Sequence, residues 1–284
     1  MAVDFKYIVV GRGLMGAAAA RHLARQVDGV AVIGPDEPDD RKAHQGVFAS
    51  HYDEGRITRT IDPDRNWALL ANRSIGRYGE IARDSGIDFY REVGCAVVAP
   101  TQSDYLERTR QAAISLGVET RTVTLFEVSE ADAARLAAMP SLILRAPGIE
   151  IYLLPPIRYP DGKFYLKIGG DPDDMALSDD ADMRAWFKTE GRDTVRAHLK
   201  RIVEGLVPDI VPLSISTAAC VVSHTERGYP MIGYTSSPEI AVLTGCAGTW
   251  AKSSDEIGRL GAELLLSGGI GGQGYSTDFT PQFR

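Results

Sequence analysis

Apolar and polar positions follow three patterns along the chain. The first part alternates short β-branched runs with amphipathic helices, the middle is dominated by period-two strands, and the end is a strand followed by a helix. Helices are predicted at 13–26, 64–85, 103–115, 129–138, 183–203 and 253–266. Strands are predicted at 6–10, 30–33, 89–92, 95–99, 142–144, 150–154, 163–168, 214–224 and 240–244. This order predicts an α/β fold with an antiparallel sheet in its middle.

Composition and charge narrow the class of protein. The 284 residues are 44% hydrophobic and 24% charged, with a formal net charge of -7, which gives no reason to expect a nucleic acid or an anionic membrane as partner. No apolar run approaches the ~18 residues of a membrane span, so we expect a cytoplasmic protein. The three cysteines are widely spaced, so neither a metal site nor a disulfide framework is expected.

The clearest motif is a G-x-G-x-x-G sequence between the first strand and the first helix. The first glycine allows a tight turn, the second lets the backbone approach a pyrophosphate, and the third lets the helix pack close to the strand. The helix N-terminus then offers N–H groups to the anion. A glycine-rich turn in another kind of α/β protein is the alternative. The motif predicts dinucleotide contacts at Gly11, Gly13, Leu14, Met15 and Gly16.

The acidic residue that usually ends the second strand and binds the ribose hydroxyls is displaced in this chain. Gly34 and Pro35 occupy that position, and two carboxylates follow directly. Either Asp36 or Glu37 reaches back to the ribose, or the ribose is held less specifically. We assign Asp36 as the candidate cofactor contact.

Three further features, one charged loop and two single residues, have two interpretations each. Arg56 and Arg59, with His51 nearby, suit an anionic cofactor or a carboxylate, although a solvated charged loop has the same composition. Lys167 lies on a strand, where alternation places it either on the solvent face or in a deliberately buried position. Cys220 on an apolar strand is by itself typical of a buried small hydrophobe.

The stretch 244–254 is a small-residue loop between a strand and a helix, with Lys252 near the start of the helix. Its backbone N–H groups are placed to face an anionic or electron-rich ligand. The alternative is a simple tight connection between the two elements.

Together these stretches resemble the D-amino-acid-oxidase superfamily of FAD-dependent oxidoreductases, and most closely its monomeric sarcosine oxidase and N-methyl-amino-acid oxidase branch. The glycine motif resembles the family's FAD pyrophosphate loop. Residues 50–59 resemble its S-H-x-x-x-R-I-T-R stretch with one additional residue, and 245–252 resemble its G-x-x-G-x-G-x-K loop with Trp250 where glycine is common. The likeness covers residues 1–137 and 141–284.

The resemblance implies how FAD is held and used. Lys167 matches the lysine proposed to activate oxygen, and His51 and Arg56 line the flavin as further candidate catalytic residues. Cys220 falls where this branch attaches FAD through a cysteinyl sulfur, so FAD is expected either covalently there or without a covalent link. The other implied FAD contacts are Ser50, Gly245, Gly248, Thr249 and Lys252.

The resemblance also implies a substrate site. Arg59 and Lys252 would bind the carboxylate of a small amine or amino-acid substrate, with Tyr152 as a further contact. O2 would be the second substrate.

Roughly a hundred residues of the family's FAD domain, which belong between Ala137 and Ser141, are absent from this chain. The resemblance therefore implies an incomplete parallel sheet whose edge and apolar face need a cover. The chain is then a natural short form, a deletion variant, or one completed by a partner. A second copy of the chain is the simplest such partner.

We therefore expect a Rossmann-like FAD-binding domain formed by 1–85 and 227–284, and a substrate domain with an antiparallel sheet at 86–226. The implied activity is oxidation of a secondary amine or N-methyl amino acid to an imine, with O2 reduced to H2O2. One alternative is a catalytically inactive short form that acts as a binding or regulatory protein. Another is an NAD(P)-dependent dehydrogenase. This alternative is disfavoured, because Cys220 and the C-terminal glycine loop would have no role in such an enzyme.

Overall fold

The computed structural model describes residues 4–40, 42–46, 54–60, 62, 64–99, 117–170, 175–245, 248 and 250–283. The helices in these ranges are α1 (Leu14–Ala24), α2 (Arg65–Ser85), α3 (Glu130–Arg135), α4 (Asp180–Phe187), α5 (Asp193–Leu206) and α6 (Ser254–Ser267), with a 3-10 turn at Ala251–Ser253. The strands are β1 (Tyr7–Val10), β2 (Val30–Ile33), β3 (Cys95–Val98), β4 (Gly117–Val128), β5 (Ser141–Ala146), β6 (Ile149–Arg158), β7 (Phe164–Gly169), β8 (Ala176–Leu177), β9 (Ser214–His224), β10 (Met231–Tyr234) and β11 (Ala241–Thr244).

The N-terminal unit is a parallel pair of strands, β1 and β2, joined by α1. Helix α1 covers one face of the pair and also crosses α6 closely. A Cβ on Gly258 would lie 2.5 Å from the Cβ of Ala18, so glycine permits this crossing. A second core joins α2, α6, the β10–β11 hairpin and the C-terminal segment. The motif at the start of the chain is therefore packed directly against helices from its end.

The opposite face of the β1–β2 pair is apolar and exposed. Ile8 and Ile33 are more than half exposed, and Val10 is 82% exposed. Within the described residues β1 pairs with β2 alone, so its other edge carries no strand. Exposed apolar surface beside an open strand edge is a typical site of association.

The middle of the chain forms a seven-stranded sheet in the order β3-β5-β6-β7-β4-β8, with β9 on the other side of β4. All its pairs are antiparallel except β3 with β5. One face packs against α5 through Val195, Leu199 and Val203, whose apolar positions lie on one side of the helix. The predicted α/β fold with an antiparallel sheet is confirmed.

Two predicted elements differ from the structure. The single helix predicted at 183–203 is two helices, α4 and α5, because the chain turns at Gly191 with φ +78°. No strand forms at 89–92, where Phe89 and Tyr90 instead pack their ring edges against Tyr78. The helix predicted at 103–115 lies outside the described residues.

The connection at residues 136–140 is short. Two turn hydrogen bonds, from Ala137 to Ala134 and from Met139 to Leu136, close the end of α3. The Ser141 N–H then bonds to the Gly94 carbonyl, so the chain enters β5 directly beside β3. The place where the family resemblance implies an absent segment is thus a tight turn into the large sheet.

Candidate functional site

The turn between β1 and α1 has the geometry that the glycine motif requires. Gly11 has φ +108°, in the left-handed region that favours glycine, and its N–H donates to the Ile33 carbonyl at 2.8 Å. A Cβ on Gly16 would lie 2.0 Å from the Gly11 carbonyl oxygen, so only glycine lets the helix pack there. A Cβ on Gly13 would meet no atom of the protein within 4 Å. The turn thus leaves space where a pyrophosphate approaches the backbone.

Asp36 lies beside this turn. Its carboxylate forms an ion pair with the guanidinium of Arg12, the residue between the first two glycines, and both side chains are exposed. The structure therefore brings Asp36 to the glycine turn through a protein partner. Its role as a ribose contact stays a prediction.

The two predicted carboxylate-binding cations lie together. The Arg59 Nη2 and Lys252 Nζ atoms approach the same oxygen of Asp62, at 2.8 Å and 3.2 Å. All three side chains are largely buried, and that of Lys252 is only 2% exposed. Two cations that already contact one carboxylate can also bind the carboxylate of a ligand.

Burial perturbs the protonation equilibria of this cluster. Desolvation, followed by the like charge of Arg59, lowers the pKa of Lys252 to about 8 even though Asp62 favours its charged form. The ammonium also lies 5.7 Å from the centroid of the Trp67 ring. Burial raises the pKa of the nearby Cys95 thiol, against the opposite effect of the two cations. Lys252 is therefore a lysine whose charge changes within the ordinary working range of enzymes.

Lys167 is buried, so the solvent-face interpretation is wrong. Its side chain is 1% exposed, its Nζ donates to the Gly55 carbonyl at 2.8 Å, and it lies 5.4 Å from the centroid of the Tyr152 ring. A Cβ on Gly55 would lie 3.1 Å from Leu154 and 3.2 Å from the Lys167 side chain. A larger residue at position 55 would require these side chains to move, so glycine lets residues 54–59 lie close to this face of the sheet.

Lys167 and Cys220 share a face of the seven-stranded sheet. Lys167 pairs with Leu125 of β4, and Cys220 pairs with position 121 of the same strand. These positions are four residues apart, and alternate residues of a strand face the same side. Tyr152, opposite Gly169, belongs to this face too, and it is the face opposite α5. The predicted oxygen-activating and flavin-linking residues thus lie on the same face of the sheet, and their roles stay predictions.

Cys220 is also consistent with its plainer interpretation. It is 9% exposed and packs with Val123 and Ala218, and its carbonyl accepts a hydrogen bond from the Trp186 indole at 2.7 Å. Its position on the Lys167 face permits a flavin link without establishing one.

The remaining predicted contacts border the same region. The Arg56 guanidinium donates to the Gly55 carbonyl at 3.0 Å, so this carbonyl accepts from two cationic side chains. Gly245 has φ +82°, and a Cβ there would lie 2.3 Å from the Thr225 side chain. Gly248 has φ +54°. Ser50, His51 and Thr249 lie outside the described residues.

Four residues at this site were not predicted from the sequence. Asp62 and Trp67 contact the cations, Tyr78 bonds to the Lys252 backbone, and Asp255 anchors the start of α6. Their only local signal is the position of Asp62 three residues after Arg59. Long-range contacts assemble the rest.

These features define a dinucleotide-binding α/β protein with buried cations beside its second sheet. Residues 6–138 match the family model described as FAD dependent oxidoreductase, DAO. This part of the chain, slightly less than half of it, is therefore similar to a DAO-family FAD-dependent oxidoreductase domain, whose cofactor is FAD. No curated protein sequence matches the chain.

Solved structures show the same fold. The open form of NikD, an unusual amino acid oxidase essential for nikkomycin biosynthesis, is 13% identical with a TM-score of 0.62 over 99% of this chain and 98% of that chain. Iminodiacetate oxidase from Chelativorans sp. BNC1 is 14% identical, with a TM-score of 0.53 over 93% and 96% of the two chains. Glycine oxidase from Geobacillus kaustophilus is 11% identical, with a TM-score of 0.59 over 93% and 95%.

The residues present fit FAD at both ends of the cofactor. The open space at Gly13 suits the pyrophosphate. The buried Lys167 and the half-buried Arg56 place positive charge at the covered sheet face, which suits an electron-rich ring system. In the described part of the chain, no helix combines the length and apolarity needed to cross a membrane.

Proposed function

We propose that this protein is an FAD-dependent oxidase of a secondary amine or N-methyl amino acid, which it converts to an imine while O2 becomes H2O2. The observation that carries the proposal is the convergence of Arg59 and Lys252 on one buried carboxylate oxygen. We place the activity in the cytoplasm, on composition alone.

The substrate carboxylate binds to Arg59 and Lys252, and it competes there with the Asp62 carboxylate that contacts both cations. A guanidinium and an ammonium fix both the position and the orientation of such a group. This binding holds the C–N bond of the amine in a defined place relative to the sheet face that carries Lys167. An amine without a carboxylate lacks this anchor and is expected to be a poor substrate.

FAD, when bound, supplies the redox chemistry by accepting a hydride from the amine carbon and passing two electrons to O2. The chain's contribution is electrostatic. The side-chain nitrogen of Lys167 lies in a water-poor site, where it stabilises negative charge that develops as oxygen is reduced. Tyr152 holds the lysine side chain through its ring face.

The mode of FAD attachment is proposed to be covalent, through Cys220 Sγ. Acid precipitation is then expected to leave flavin colour in the pellet, and Cys220→Ala to release it to the supernatant. A yellow supernatant from the parent protein would exclude the link and leave non-covalent FAD.

The division into an FAD domain at 1–85 and 227–284 and a substrate domain at 86–226 is part of the proposal. In its support, every strand of the large sheet lies between Cys95 and His224.

The exposed β1–β2 face is proposed to be covered by a second copy of the chain. Light scattering is expected to show a dimer for the parent protein and a monomer for Val10→Lys, and a parent monomer holding one FAD per chain would contradict this cover.

One absorbance spectrum of the purified protein and one peroxide assay test the activity. We expect flavin bands and peroxide release with N-methyl amino acids. The inactive alternative, favoured by the exposed nucleotide end, predicts a colourless protein or a yellow one that releases no peroxide with any amine. Comparison of each amino acid with its decarboxylated amine tests the carboxylate anchor.

A further inference from the structure

Tyr78 occupies a position between the two segments that carry the site's cations. It lies in the middle of α2 and is 8% exposed. The edges of Phe89 and Tyr90 pack on its ring, with centroids 5.3 Å and 5.2 Å away. This aromatic packing fixes the ring, so the direction of its hydroxyl is fixed too.

The Tyr78 hydroxyl bonds to both segments. It donates to the backbone carbonyl of Lys252 at 2.9 Å, in a buried environment. It accepts a hydrogen bond from the side chain of Thr58, the residue before Arg59. One oxygen atom thus connects the residue that carries the ammonium with the neighbour of the residue that carries the guanidinium.

The preceding residue of α2 adds a second connection to the Lys252 side of the site. Arg77 pairs with Asp255 and Glu256, the two acidic residues in the first turn of α6, directly after the Lys252 segment. Tyr78 and Arg77 therefore attach α2 to both sides of the start of this helix. The Arg77 contacts hold the helix start, whereas the Tyr78 hydroxyl also reaches the Arg59 segment, which Asn72 of α2 contacts too through the Thr60 carbonyl at 2.9 Å.

We infer that Tyr78 is a positioning residue whose hydroxyl sets the separation of Arg59 and Lys252, and with it the affinity of the site for carboxylates. The link to substrate affinity rests on the proposed function, whereas the link to cation spacing stands on the contacts of Tyr78 alone. Without the hydroxyl, the two segments lose this backbone-level contact and, with only side-chain contacts to Asp62 between them, the cations move apart. Lys252 then experiences less repulsion from Arg59 and less desolvation.

The experiment compares Tyr78→Phe, which keeps the packed ring, and Thr58→Val, which removes only the second bond, with the parent chain. Tyr165→Phe is the matched control, because that hydroxyl bonds to Asp161 in an exposed turn. Propionate binding to the FAD-loaded protein is measured by calorimetry. The pKa of Lys252 is measured by NMR of labelled lysine side chains, with Lys252→Arg to assign the signal.

We expect propionate to bind about tenfold more weakly to Tyr78→Phe, which corresponds to the loss of one buried hydrogen bond. We expect the Lys252 pKa to rise above about 8 in both variants and to stay unchanged in Tyr165→Phe. A Lys252 pKa equal to the parent's in both variants overturns the assignment. If the parent binds no propionate but the pKa moves, the positioning role stands and the proposed carboxylate site fails. If Tyr78→Phe does not fold, Thr58→Val decides.

Discussion

The two ends of the cofactor site differ in how they are built. At the nucleotide end the glycine turn offers backbone and open space, the Arg12–Asp36 ion pair beside it is exposed, and the sheet behind it has an uncovered apolar face. At the substrate end Lys167, Lys252 and Arg59 are largely buried, and each contacts a protein oxygen atom that a second cation also contacts. Binding of the pyrophosphate at the nucleotide end therefore depends on open space at the backbone, whereas binding of a carboxylate at the substrate end depends on charge.

Substitution of Gly13 by valine is expected to have the largest effect, abolition of FAD binding. The branched side chain would fill the space reserved for the pyrophosphate. The protein itself has room for it, because Gly13 has φ -68° and no neighbour within 4 Å of an added Cβ. Flavin content per chain and far-UV circular dichroism are the measurements.

Gly79→Ala is the control for that experiment, since Gly79 lies in α2 with no neighbour near an added Cβ. A Gly13→Val protein that is folded and still carries flavin at the parent level would show that the turn does not hold FAD.

Replacement of Lys167 by methionine is expected to slow the reaction of the reduced protein with O2 by about a hundredfold, because a positive charge at the developing anion is lost. Reduction by the amine is expected to change much less. Stopped-flow absorbance separates the two half-reactions. Lys163→Met, which removes an exposed lysine of the same hairpin paired with Glu127, is the control. Equal slowing of both half-reactions would make Lys167 a structural residue.

A third prediction uses pH. Because the pKa of Lys252 is lowered to about 8, carboxylate affinity should fall as pH rises through that value, by about tenfold per unit above it. Lys252→Arg should abolish this decrease in affinity, since arginine stays charged.

The lowered pKa of Lys252 also means that the charged lysine costs stability below about pH 8. The parent should therefore gain unfolding free energy relative to Lys252→Met as pH rises from about 8 to 10.5.

Asp62→Asn is expected to have the smallest effect on binding, an increase of about tenfold in propionate affinity, because the competing carboxylate is gone. It should also lower the melting temperature, since two buried cations lose their counter-ion. Calorimetry and thermal melts measure the two effects. Asp84→Asn, which breaks an exposed pair with Arg25, serves as the reference. Weaker propionate binding to Asp62→Asn would place the substrate elsewhere.

Local chemistry made part of the fold predictable. Helix α2 begins where Asp64 accepts a hydrogen bond from the Trp67 N–H, and α3 begins where Ser129 accepts one from Asp132. Both caps are readable from a few neighbouring residues, so these helix starts were confirmed. The break at Gly191 has only a single glycine as its signal and was missed.

The candidate site was predictable in type but not in arrangement. Alternation offers two faces for Lys167, and only the covering segment at 54–59 decides that it is buried. Arg59 and Lys252 are 193 positions apart, and nothing local indicates that Asp62 joins them. Burial and charge sharing are long-range properties, so they required the folded chain.

The pairing of β4 implies an uneven resistance to opening. Residues 123–127 of β4 are hydrogen-bonded to β7 on one side and β9 on the other, whereas β1 and β2 each have a single partner among the described strands. Amide protons at the centre of β4 should therefore exchange with solvent only through global unfolding, and those of β1 through a smaller local opening. Under mild protease treatment the nucleotide end is where the chain should be cut first, and bound FAD should slow that cut.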